Sequence, residues 1–405
     1  MFNPEFSLPV ALPMRFFRMA PLWLAITALA GFGLDGSDWH NRYNPALLAM
    51  THLLMLGFAG NIMLGALLQV SAVVAGVRAK QSLRWGMALW GGLQLGTALL
   101  AVGLWTMQPL LLQGAAGVLG LSLFPLTIWL LSALFRSRAR DATSRGLRYA
   151  TLALALTVTA GIALVLLLTM GWMPIPLPDL LRAHVLLGII GWVSGLLLAV
   201  ALTVVPMFLV TQSWPDWLGR WLLPALLVLT FLAALDARSL IILPLPLLIW
   251  VVALLRQLRT SQRKADPARY LWAWGGLNLL LPLLIVPWLD ALPESIPVGL
   301  AGHWLLAGLL PVFTAMLAKI IPFLLWMDYR LRVPTGGKLR HMGQIFPERW
   351  LRRLSWLALS MGISWWLFYL LAYIMIPVVL LVYALALGYC LQRSVVAAGS
   401  VALTS

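Results

Sequence analysis

The sequence predicts an all-α polytopic membrane protein of twelve transmembrane helices, and three observations carry that expectation. Hydrophobic residues make up 62% of the 405 residues and charged residues only 10%, against about 25% charged in an ordinary soluble domain. Apolar runs long enough to cross roughly 30 Å of hydrocarbon follow one another along the whole chain. The 28 Lys and Arg fall in short clusters between those runs. So few charges could not cover a soluble surface, and no stretch is left over for a soluble domain. Residues 1–405 read as a single transmembrane domain.

The spans lie near 16–34, 46–77, 85–106, 109–135, 149–171, 180–210, 220–236, 239–255, 270–289, 297–325, 354–372 and 374–391. The first follows Arg15 and Arg18 and ends at an Asp-bearing loop, Asp35 to Pro45. The second ends before Arg78 and Lys80, and the fourth runs into the basic stretch Arg136 to Arg148. The fifth and sixth are joined by Gly171 to Asp179. Asp236-Ala-Arg-Ser239 divides the short seventh and eighth spans, and Arg256 to Arg269 leads into the ninth. Asp290 to Pro297 precedes the tenth; the longest loop, Trp326 to Arg353, carries Gly336-Gly-Lys338 and His341, a string too short for a phosphate loop. A turn near Ala372 separates the last two spans.

Counting charge by loop puts 24 of the 28 Lys and Arg on one side, three (Arg42, Arg182, Arg238) on the other, and Lys319 within a span. That asymmetry sets both termini in the cytoplasm, and a bacterial-type inner membrane is the expected location. It also explains the net charge of +16 without nucleic acid: the expected partner is the lipid bilayer. Ala28-Leu-Ala30 before Gly31 allows a cleaved-signal reading that would leave eleven spans; a retained first helix is the favoured one. Trp85, Trp105, Trp172, Trp214, Trp217, Trp288 and Trp326 stand near span ends, where indoles anchor at the headgroups. The single Cys390 allows no internal disulfide and no cysteine metal site.

Ionisable groups inside a bilayer are costly and mark function. Four basic or imidazole side chains fall in span interiors: His52, His184, His303 and Lys319. The histidines share a context: Thr51-His-Leu-Leu-Met-Leu-Gly57, Ala183-His-Val-Leu-Leu-Gly188 and Gly302-His-Trp-Leu-Leu-Ala-Gly308. They stand on the second, sixth and tenth spans at similar depth, each followed one turn later by a small residue that clears room for a flat ligand or a close helix. Val204-Val-Pro-Met-Phe208 and Ile320-Ile-Pro-Phe323 repeat late in the sixth and tenth spans. The pattern reads as three quasi-repeated four-helix units. A lone intramembrane histidine is usually a helix–helix hydrogen bond. Three in repeated contexts, with no carboxylate in any span core, fit better as neutral imidazole ligands of a metal or cofactor. Without an acidic base, zinc hydrolysis and proton-coupled carriage are disfavoured.

On these residues the chain resembles the haem-copper oxidase subunit I superfamily, and in particular its reduced relatives such as the NnrS family. The resemblance implies twelve helices in three arcs, with ligand histidines towards the outer face. It implies that His52 and His303 are axial ligands of a b-type haem, and that His184 occupies the helix where the oxidases place a copper ligand, which leaves copper open there. The seventh span, Trp221-Leu-Leu-Pro-Ala-Leu-Leu-Val-Leu-Thr230, has no His-His pair, the tenth has one histidine, and the aromatic Pro-Asn-Trp and His-Thr-Gly strings of NnrS proteins are missing. A complete oxygen-reducing centre therefore cannot be built. The expected role is electron transfer or handling of a diatomic gas such as nitric oxide, alongside a redox partner subunit or cytochrome.

The second reading is a transporter whose intramembrane histidines bind a metal or substrate; a third is an assembly subunit whose histidines only hydrogen-bond. Among minor candidates, Arg182 is placed either to neutralise a haem propionate or to pair with Asp179. Lys319 is expected to snorkel to the inner surface. Asn61, Gln69, Gln94 and Asn278 are expected to bond between helices, and His40 and His341 to be solvated.

Overall fold

A chain in hydrocarbon must satisfy its own backbone polar groups, so each apolar run becomes a helix. The computed structural model describes residues 7–77, 82–172, 175–293, 295–332 and 341–399; Arg78, Lys80 and the Gly336-Gly-Lys338 turn lie outside them. In chain order the long helices are α1 (Ala11–Gly31), α2 (Pro45–Val73), α3 (Leu83–Thr106), α4 (Pro109–Arg136), α5 (Ala142–Met170) and α6 (Leu177–Leu209). Then come α7 (Asp216–Leu235), α8 (Ala237–Arg259), α9 (Pro267–Leu289), α10 (Ser295–Arg330), α11 (Glu348–Leu371) and α12 (Met375–Ala398).

Among the described residues eleven helices, α2 to α12, are long and apolar enough to cross a membrane, one fewer than the twelve spans expected. The difference is α1. It is a continuous 21-residue helix, but Arg15 and Arg18 in its first two turns lower its mean hydropathy.

Helix starts follow local chemistry. Asn44 accepts from the Ala46 and Leu47 amides ahead of Pro45, Asp141 accepts from Ser144, and Asp266 accepts from Ala268 after Pro267. Such caps satisfy amides that have no partner in the first turn. Gly171, at φ +69°, ends α5 in the left-handed conformation that glycine tolerates. Asp236 accepts from the Arg238 amide, which makes the turn between α7 and α8. The expected anchors Trp85, Trp172, Trp217 and Trp288 are all more than half exposed.

The helices form two populations. In α2, α6 and α10 the most apolar stretch is 78%, 83% and 89% buried, whereas in the other eight membrane-length helices that share is 28% to 50%. The three histidine-bearing helices are therefore the interior of the bundle. One aromatic contact joins each pair: Phe58 of α2 meets Phe313 of α10 at 5.9 Å, and Phe208 of α6 meets Phe323 of α10 at 5.7 Å. His52 and His184 make the third. Around them, α1 packs antiparallel to α12, with Gly31 against Pro377, Pro21 against Gly388, and Arg18 Nη2 donating to Gln392 Oε1 at 3.2 Å. The described ends of the chain thus lie at one end of the bundle.

Candidate functional site

His52, His184 and His303 stand seven, seven and eight residues past the first residues of their helices, Pro45, Leu177 and Ser295. Close behind each, the helix widens into a π-helical segment: Leu53–Gly60, Leu187–Ser194 and Trp304–Leu309. Such segments are rare, and they gather where function has displaced regular packing. The freed carbonyls find side-chain donors. Asn61 Nδ2 donates to the Gly57 carbonyl at 2.6 Å, and Ser194 Oγ to the Ile189 carbonyl at 3.0 Å. Asn61 is held in turn by Gln94 of α3, whose Nε2 donates to Asn61 Oδ1 at 3.0 Å, and Gln94 Oε1 accepts from Trp23 Nε1 of α1.

Burial changes abruptly at the same depth. Gly57 to Ala75, Ile190 to Leu202 and Leu306 to Ala318 are continuously buried. On the outer side of those boundaries the inner helices are only partly covered, at Leu47, Leu48, Leu54 and Met55 of α2 and at Leu181, Ala183 and Gly188 of α6. Val185 is 41% exposed. All three histidines lie in this partly covered zone.

Two of them face each other. The His52 and His184 ring centroids are 6.3 Å apart and the ring planes differ by 19°. His52 Nδ1–H donates to the Leu48 carbonyl at 2.8 Å, and His184 Nδ1–H to the Thr157 carbonyl of α5 at 3.1 Å. A carbonyl can only accept, so both neutral rings carry their proton on Nδ1 and keep a lone pair on Nε2. Among the described residues no protein group bonds to either Nε2. Gly161 lets His184 approach α5: a Cβ there would stand 3.0 Å from His184 Cε1. Two imidazoles opposed across one metal, with each nitrogen about 2.0–2.1 Å from it, hold their centroids roughly 6 Å apart. The centroid spacing is close to that value, and the two tautomers leave both Nε2 lone pairs available to a ligand.

His303 is placed differently. Its ring lies 6.2 Å from Trp366 of α11, and among the described residues its buried Nδ1 has no hydrogen-bond partner. The aromatic neighbourhood continues through Trp366 and Tyr369 to His40, whose ring meets Tyr369 edge-on at 5.0 Å. His40 is thus packed rather than freely solvated; His341 is exposed. No group of three or more His, Cys, Asp or Glu side chains converges among the described residues.

Arg182 resolves towards Asp179, at 2.8 Å, and also donates to the Ala233 and Ala234 carbonyls at 3.2 and 3.3 Å, where it caps the end of α7. The Lys319 ammonium reaches the basic loop ahead of α9. It pairs with Asp266 at 2.5 Å, because the stretch before α9 folds back against α10. The small residues after each histidine serve close helices: a Cβ on Gly57 would strike Trp23, one on Gly188 would press Thr157, and one on Gly308 would strike Leu279. Gln69 bonds Ser7, and Asn278 bonds the Trp274 carbonyl of its own helix rather than a neighbouring one. Thr157, Gly161 and Trp366 escaped the sequence reading, since only the folded bundle brings them beside the histidines.

No protein-family model matches the chain, and no curated protein is significantly similar to it.

Proposed function

We propose that this multi-pass membrane protein binds a b-type haem between His52 and His184 and works in electron transfer. The facing of those two rings at 6.3 Å, each with its Nδ1–H committed to a carbonyl, carries the reading. The resemblance gave the second axial position to His303, and the ring pairing favours His184 for it. Bound there, the haem supplies one-electron redox chemistry. Leu48 and Thr157 orient the imidazoles and raise their basicity through Nδ1–H, as outer partners of ligand histidines do. His52 and His184 would hold the group between them, and with both imidazoles committed to it electron transfer is favoured over gas handling. A membrane or soluble redox partner follows from that role. Three histidine helices with matching depth, π segments and burial boundaries support the wider reading of three repeated four-helix units related to haem-copper oxidase subunit I, in a bacterial-type inner membrane with cytoplasmic termini.

The test is a pyridine haemochrome assay and reduced-minus-oxidised spectrum of protein purified from haem-sufficient cells, beside His52→Ala, His184→Ala and His303→Ala. Wild type and His303→Ala should show sharp low-spin bands, and the other two should lose them. Loss in His52→Ala and His303→Ala alone would restore the pair implied by the resemblance. Haem-free wild type would overturn the proposal and leave the pair as a metal or substrate site of a transporter.

A further inference from the structure

The first turns of α11 carry a basic concavity remote from the histidines and independent of any cofactor. Glu348, Arg349, Arg352, Arg353 and Trp356 line a shallow hollow of about 440 Å³. Three guanidinium groups share it with one carboxylate. That carboxylate is engaged by Arg352 at 2.8 Å, and both side chains are more than 60% exposed. An exposed i,i+4 pair contributes only a few tenths of a kcal/mol, so it yields readily to a better anion. Among the described residues neither Arg349 nor Arg353 has an acidic partner.

What lies below the hollow identifies the ligand. Trp356 is 70% exposed, and the same outward stripe of α11 continues through Ile363 (69%), Leu367 (56%) and Leu370 (59%). Spacings of seven, four and three residues keep these side chains on one face. An arginine-lined anion site thus opens at its lower edge onto an indole and then a membrane-facing apolar track. Free phosphate would use only the arginines. A glycerophospholipid uses both parts, its phosphate in the fork-shaped donors of Arg349 and Arg353 and its acyl chain along Trp356 to Leu370.

We infer that the start of α11 is a binding site for an anionic phospholipid, with Arg349 and Arg353 holding the headgroup and Trp356 the upper acyl chain. Basic pockets beside transmembrane helices recognise anionic headgroups in this way.

The test uses the full chain in nanodiscs of phosphatidylcholine with one-fifth phosphatidylglycerol. Native mass spectrometry after delipidation should show about one anionic lipid retained by wild type and by an Arg138→Gln/Arg140→Gln control, and none by Arg349→Gln/Arg353→Gln. Brominated phosphatidylglycerol should quench tryptophan emission more than brominated phosphatidylcholine, and Trp356→Phe should remove most of that difference. Because the quenching arm uses wild type and a conservative variant, it decides the matter even if the double variant misfolds. Equal retention in wild type and the Arg349/Arg353 variant, or equal quenching by the two lipids, overturns the proposal. Displacement of the lipid by millimolar inorganic phosphate would show an anion site without lipid selectivity and also overturn it.

Discussion

Replacing Lys319 by Met leaves Asp266 as an uncompensated charge in a protein interior, and the cost can be worked from the geometry. The two side chains are 18% and 10% exposed and lie 2.5 Å apart. At an effective dielectric of about 20 their attraction is about 7 kcal/mol, much of it offset by the desolvation of both ions. Removing one partner of such a pair costs about 3–5 kcal/mol. Asp266→Asn is the cleaner half of the test. Its amide oxygen still accepts from the Ala268 amide that Asp266 Oδ1 now caps at 3.0 Å, so only the charge is lost. The double variant should be no worse than the milder single one, giving a coupling free energy of at least about 3 kcal/mol. Unfolding of the detergent-solubilised protein by sodium dodecyl sulfate, followed by circular dichroism across the four-member cycle, measures it. If the two single effects add to within about 0.5 kcal/mol, the pair is not a coupled unit and the assignment of Lys319 is wrong.

Asn61→Leu removes the donor to the Gly57 carbonyl and the acceptor of Gln94, and is expected to destabilise the protein by about 1–2 kcal/mol; adding Gln94→Leu should cost little more, because the two share one network. Gly161→Val places branched carbons where a single Cβ already stands 3.0 Å from His184, so low-spin haem bands should fall by more than half while helical content is unchanged. Cysteines at exposed Ser37 and Gln262, on a Cys390→Ser background, should be labelled by an impermeant maleimide at position 37 in intact cells and at 262 only after lysis. Labelling of position 262 first would reverse the topology.

The membrane-spanning helices were legible because apolar runs and basic loops are local, one-dimensional signals. The divide at Asp236 and the break near Ala372 appear where the sequence puts them, with α7 ending at Leu235 and α11 at Leu371. The first follows from an aspartate that caps a turn; the second falls inside a continuous apolar run, ahead of Pro377. The histidines were legible as a set because burial of imidazole in hydrocarbon is costly anywhere. Their partners were not. The facing of His52 and His184 depends on which helices meet, and the widening after each histidine depends on a backbone register that no residue type encodes. Asp266 falls in the basic stretch Arg256 to Arg269, and nothing local shows that it meets Lys319 of α10.

The antiparallel seam between α1 and α12 carries a consequence for how the protein is made. Arg15 and Arg18 weaken α1 as an autonomous insertion signal, and its matching surface, Pro377 to Gln392, is synthesised hundreds of residues later. At about 5–20 residues per second, several tens of seconds of translation separate the two. Throughout that interval one flank of α1 has no final neighbour. Emergence of α12 from the ribosome therefore completes that seam. A nascent chain stalled before α12 should remain accessible to membrane proteases at α1, and one that includes α12 should lose that accessibility in a single step.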